Sequence, residues 1–190
     1  MRKSILFAIS LVTLLGLGIL WAQQPFSVPT TTTTPYYVQY ARVNGGFWNK
    51  SAVISGLGAT RTLTANESGA VIDLDRAAGI VVTLPAPSEG LYYDFVASVA
   101  VTSNAYKVST ATQGTDFIAG GVLNIDSDTS DALVSHRCDG TTHDNYSMNG
   151  TTTGGLIGTK FRLTAVSGTV WVLEGRMIGN GTVATSCSTT

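Results

Sequence analysis

Short runs of β-branched and aromatic residues, cut by turn-forming residues roughly every 8–12 positions, fill the chain from Thr60 onward. TRTLT leads into Asn66-Glu67-Ser68-Gly69, and AVIDLD and IVVTL lead to the corner Pro85-Ala86-Pro87. LYYDFVASVAV, AYKVST, DFIAGGVLNI, DALVSHRC, DNYSM, LIGTKFRLTAV, TVWVLEGRMI and TVATS complete the series. No window beyond residues 1–24 sustains a helical period. This punctuation predicts an all-β fold, an antiparallel, jelly-roll-like β-sandwich preceded by an N-terminal hydrophobic helix. Gly69 predicts a turn at positive φ. Pro85 and Pro87 lack backbone donors, so TLPAP must lie at a strand end or sheet edge, where the chain can cross between sheets. Gly120-Gly121 predicts a bulge or bend. No internal repeat is legible; Asn149-Gly150-Thr151 and Asn180-Gly181-Thr182 match only as turns.

Residues 1–22 have a different character. Arg2 and Lys3 precede an uncharged apolar run from Ile5 to Trp21, with Ala22 as a small residue for cleavage. This is the layout of a signal peptide. An uncleaved N-terminal membrane anchor is the alternative, and it would be the chain's one membrane contact. On either reading the remainder is exported. Residues 23–35 hold three prolines and a run of five threonines, a spacer without a core. Residues 36–190 are then one domain, long enough to bury a sizeable core.

Charge narrows the class further. Only 12% of the 190 residues are charged, with 11 basic and 12 acidic. That balance excludes a protein that binds nucleic acid through phosphate contacts. The 27 threonines, 17 serines and 21 glycines suit strands and turns rather than helices. So little charge leaves sheet edges poorly protected in a monomer, which predicts a homo-oligomer. Cys138 and Cys187 are the two cysteines, and an even count in an exported domain makes a disulfide between them one reading; two free thiols are the other.

Catalytic signatures are sparse. No nucleophile elbow, zinc-protease helix or phosphate loop is present, so no catalytic residue and no cofactor are expected. His136, Cys138 and His143 could approach a metal but lack the paired spacing of a zinc site. Asp126, Asp128 and Asp131 alternate in a polar loop and are the candidate calcium ligands. That loop lacks the glycine and distal glutamate of an EF-hand, so a solvated loop is the plainer reading. Asp73 and Asp75 share a strand face and could in principle pair as glycosidase carboxylates. Trp48, Tyr92, Tyr93 and Trp171 could form a sugar-stacking platform or lie in the core.

The stretch LTANESGAVIDLDRAAGIVVTLPAPSEGLYYDFV, Leu63 to Val96, resembles a recurrent segment of tailed-phage virion proteins. AVTSNAYKV, HDNYSMNGTTTGGLIGTKFRL and WVLEGRMIGNGTVATS extend the resemblance, which covers Thr60 to Thr190. It implies a non-enzymatic virion structural protein, such as a capsid decoration component, located on the virion surface. Its partners would be phage capsid or other virion proteins, and trimeric assembly is the implied form. The leader fits such a role least. It supports the alternative of a secreted or membrane-anchored bacterial surface protein, periplasmic or on the cell surface, that binds glycans or matrix.

Overall fold

The structure, a computed structural model, describes residues 51–128 and 133–190. The leader, the spacer and Trp48 lie outside them. The described chain is all-β, with twelve strands: β1 Val53–Ile54, β2 Thr60–Thr62, β3 Val71–Leu74, β4 Ile80–Thr83, β5 Tyr92–Ala97, β6 Tyr106–Ser109, β7 Phe117–Asp126, β8 Val134–Asp139, β9 Asn145–Met148, β10 Lys160–Ala165, β11 Val170–Gly179 and β12 Cys187–Ser188. No α-helix occurs among the described residues.

Two sheets form. The large one runs β1-β3-β5-β10-β11-β7-β8, and the small one β12-β9-β6-β4-β2. The expectation of antiparallel sheets is corrected here, because both are mixed. β1, β3 and β5 are parallel, as are β2, β4 and β6. The chain alternates between sheets over these six strands, so each passage through one sheet lies beside the previous passage in the same direction. This is a coil, and neither a meander nor a jelly roll. From β7 onward most pairing is antiparallel, through β7–β8, β6–β9, β5–β10 and β10–β11, while β11 closes parallel on β7.

The physical cause lies in the connections. Two corners carry the chain from small sheet to large. Thr64 opens a 3-10 turn, Ala65–Glu67, after β2. The Glu67 carboxylate accepts the Thr64 backbone N–H at 2.7 Å and the Thr64 hydroxyl at 2.9 Å. Gly69, at φ +87°, then redirects the chain into β3. The second corner is TLPAP, where Leu84 and Pro87 are buried just after β4. Neither corner folds the strand back beside its predecessor, so the next strand joins the other sheet.

One core is shared by both sheets. Along β5, Tyr93, Phe95 and Ala97 are buried while Tyr92, Asp94 and Val96 face outward. β10 alternates in step, burying Phe161, Leu163 and Ala165. The Phe95 and Phe161 rings stack at 4.8 Å, and Tyr146 of the small sheet meets Phe161 edge-on at 4.9 Å. Such pairs add to the burial of their rings. Tyr93 donates its hydroxyl proton to the Thr64 carbonyl at 2.7 Å. Burial first, and then the Glu67 carboxylate, push the Tyr93 phenol up to about 12.

A Cys138–Cys187 disulfide joins β8 to β12, with Cα atoms 5.4 Å apart and both residues buried. These strands end their respective sheets. The bond therefore ties the two sheets along one side and anchors the C-terminal strand. Nearby, the Asn145 amide donates to Thr190 Oγ1 and to the Asp144 carboxylate, which fixes the last residue. The opposite ends of the sheets are β1 and β2, and no further described strand pairs with either.

Candidate functional site

The outer face of the large sheet carries a shallow trough over β5, β10, β11, β7 and β8. Its side chains follow from strand alternation. Asp94 on β5 lies opposite Arg162 on β10, and Arg162 lies opposite Glu174 on β11. Glu174 is beside Gly121 on β7, and Gly121 faces Arg137 on β8. A second row places Lys160 opposite Arg176, followed by Leu123 and Ser135.

Arg162 is fixed within this face. Its guanidinium donates from Nε to Asp94 Oδ1 at 2.9 Å and from a terminal nitrogen to Oδ2 at 2.6 Å. It also lies over the Tyr92 ring, 4.7 Å from the centroid. A two-pronged carboxylate contact plus a cation–π contact holds the planar group in one pose. The Asp94 hydrogen bonds raise the Arg162 pKa against the opposing effect of burial.

The floor is bare backbone. Glu174, Gly175 and Arg176 are all exposed, which regular alternation would not produce. Gly175 has φ +152°, and a Cβ there would come within 2.5 Å of the Lys160 carbonyl. At Gly120, with φ +103°, a Cβ would meet the Leu173 carbonyl at 2.3 Å. A side chain at Gly120 would strike β11 and one at Gly175 would strike β10, so both positions stay bare and the surface above Gly175 is open to a ligand. Two depressions meet at Gly175, one walled by Asp94, Lys160 and Arg162 and the other by Leu123 and Arg137.

The residues singled out from the sequence are not brought together in this way. Asp126 Oδ1 accepts the Asp128 N–H at 3.0 Å, and Asp128 Oδ2 accepts the Gly181 N–H at 3.2 Å. Asp131 lies outside the described residues. Among those described, no three His, Cys, Asp or Glu side chains are grouped as for a metal ion. Cys138 is consumed by its disulfide, so a His136–Cys138–His143 metal set is not formed. His143 Nδ1 instead accepts the Asp139 N–H at 2.9 Å. The Asp139 carboxylate is held well below its ordinary range by the Thr142 hydroxyl and by the N–H groups of Thr141 and Thr142. Asp75 accepts the Gly56 N–H at 2.6 Å. The aromatic platform is not formed either: Tyr93 and Trp171 are fully buried, with ring centroids 5.9 Å apart, while Tyr92 is outside beneath Arg162.

The trough was legible in part. Lys160-Phe161-Arg162 and Glu174-Gly175-Arg176 each place two charges two residues apart, on one face of a strand. In a chain with so little charge, that pattern marks an outward face worth noting. No family model, curated protein or solved structure matches the chain.

Proposed function

We propose that the protein is a non-enzymatic structural component of a tailed-phage particle. Its two sheets act as the layers of a β-sandwich attached to the capsid or another virion surface. One observation carries the reading. Among the described residues, the body is locked by a disulfide along one side and has β1 and β2 as sheet ends on the other. Val53 on β1 is 60% exposed, and both threonines of β2 are exposed. Arg61 of β2 is paired with Glu67, which leaves the exposed valine and threonine side chains of these sheet ends for contact with another chain. Assembly into a homo-oligomer, with a trimer as the specific form, would cover them.

A second reading is favoured by the disulfide. A buried bridge suits an oxidising compartment, and with the leader it supports an exported bacterial surface protein that binds glycans or matrix. Fractionation separates the two. Full-length protein expressed in an infected host should band with purified particles in a density gradient, at a constant ratio to the major capsid protein. Recovery in the envelope or medium, with none in the particle band, would overturn the virion reading. Light scattering of the purified chain tests the trimer, and a mass of one chain at every concentration would exclude it.

A further inference from the structure

We infer that the outer trough of the large sheet binds an acidic polysaccharide bearing carboxylates, whether the protein is displayed on a particle or on a cell envelope. The starting point is a local conflict. Lys160 and Arg176 are exposed, directly opposite on adjacent antiparallel strands. Like charges so placed destabilise a sheet. Neither forms an ion pair within the described residues, and nor does the exposed Arg137. In a chain with 11 basic residues, three unpaired cations gathered on one face form a concentrated patch. An anion above the glycine floor resolves the conflict.

The arrangement also selects the kind of anion. The cations lie across β10, β11 and β8, a span of about 14 Å at ordinary strand spacing. Glu174 stands among them, in register with Arg162 on one side and Gly121 on the other. Asp94 is held by Arg162 at the trough wall. A polymer with one charge on every unit in close succession, such as a nucleic acid, would meet these carboxylates. A chain of neutral hydroxyl-bearing rings with carboxylates at intervals can alternate with them. The floor at Gly121 and Gly175 carries no side chain, which leaves room for sugar rings between the charged side chains. Arg162, pinned by Asp94 and Tyr92, forms a rigid wall and not a mobile cation.

The test uses the full-length protein and fluorescently labelled hyaluronan oligosaccharides, which carry a carboxylate on alternate rings, followed by anisotropy at low and high salt. Binding that weakens as salt rises is expected, with neutral dextran inert. Lys160→Gln with Arg176→Gln should lower affinity at least about tenfold, while the melting temperature holds or rises as the like-charge pair is relieved. Glu174→Gln should raise affinity roughly two- to fivefold, by removing an acid from the path. Lys107→Gln, on the small sheet, should change nothing. No binding by the unaltered protein would overturn the inference, as would an equal loss in the Lys107 variant. Equal binding of polyglutamate or single-stranded DNA would refute the selection for a polysaccharide. Because the readout is binding by purified protein, it fails or holds separately from the particle fractionation.

Discussion

Replacing Cys138 and Cys187 together by alanine should cost this fold about 4 kcal/mol. The bridge closes a loop across a sequence separation of 49 residues. In the chain-entropy treatment, a loop of that length removes about 14 cal/mol/K from the unfolded state, or about 4 kcal/mol at 25 °C. The same bond is the covalent link between the end strands of the two sheets, and β12 has only two residues to hold it in place. Losing the bond should therefore free the C-terminal strand as well as loosen the unfolded chain. For a domain of this size the expected fall in melting temperature is about 10–15 °C. Urea unfolding of the oxidised protein and of the double alanine variant checks this, with hydrogen exchange reporting the Cys187 and Tyr146 amides. Both sulfurs are buried, so mild reductant should leave the native bond intact until the protein is partly unfolded. A loss below about 1 kcal/mol would refute the reasoning, because loop closure would then contribute little to stability.

Two further outcomes follow from the packing. Gly120→Ala should destabilise by about 3 kcal/mol or more, since the new Cβ meets the Leu173 carbonyl at 2.3 Å in a positive-φ conformation; an unchanged urea midpoint would contradict the close approach of β7 and β11. Alkali should unfold the protein early. The Tyr93 phenol is raised to about 12 in the fold against an ordinary 10, so its stabilisation is complete below pH 10 and is lost as pH climbs to 12. The loss reaches at most about 2.7 kcal/mol for two pH units of difference, with buried Tyr106 and Tyr146 acting in the same direction. Unfolding midpoints measured from pH 8 to 12 test this, and Tyr93→Phe should flatten the slope.

Strand existence was largely readable from residue pattern. The runs read as IVVTL, LYYDFVASVAV, AYKVST, DFIAGGVLNI and DNYSM all contain strands, because alternating burial leaves a period-two trace in any sheet. TVATS reads as a strand, but the strand begins just after it, at Cys187, where the disulfide holds the chain against β9. The trough was mostly missed. Its cations are scattered over β8, β10 and β11, and only pairing brings them together.

What the sequence by itself determined is the local alternation: which residues favour strands, where Pro85, Pro87 and Gly69 turn the chain, and that Cys138 and Cys187 were available to pair. Direction and neighbours came from tertiary structure. The coil places Val53 beside Val71 and Val71 beside Asp94, while Thr60 lies beside Val81 and Ile80 beside Tyr106. These passages are unequal in length, so they leave no repeat in the sequence. A strand's inward side chains look the same whether its neighbour runs with it or against it. Only the corners that send the chain across to the other sheet, and the core that both sheets must fill, choose between those arrangements.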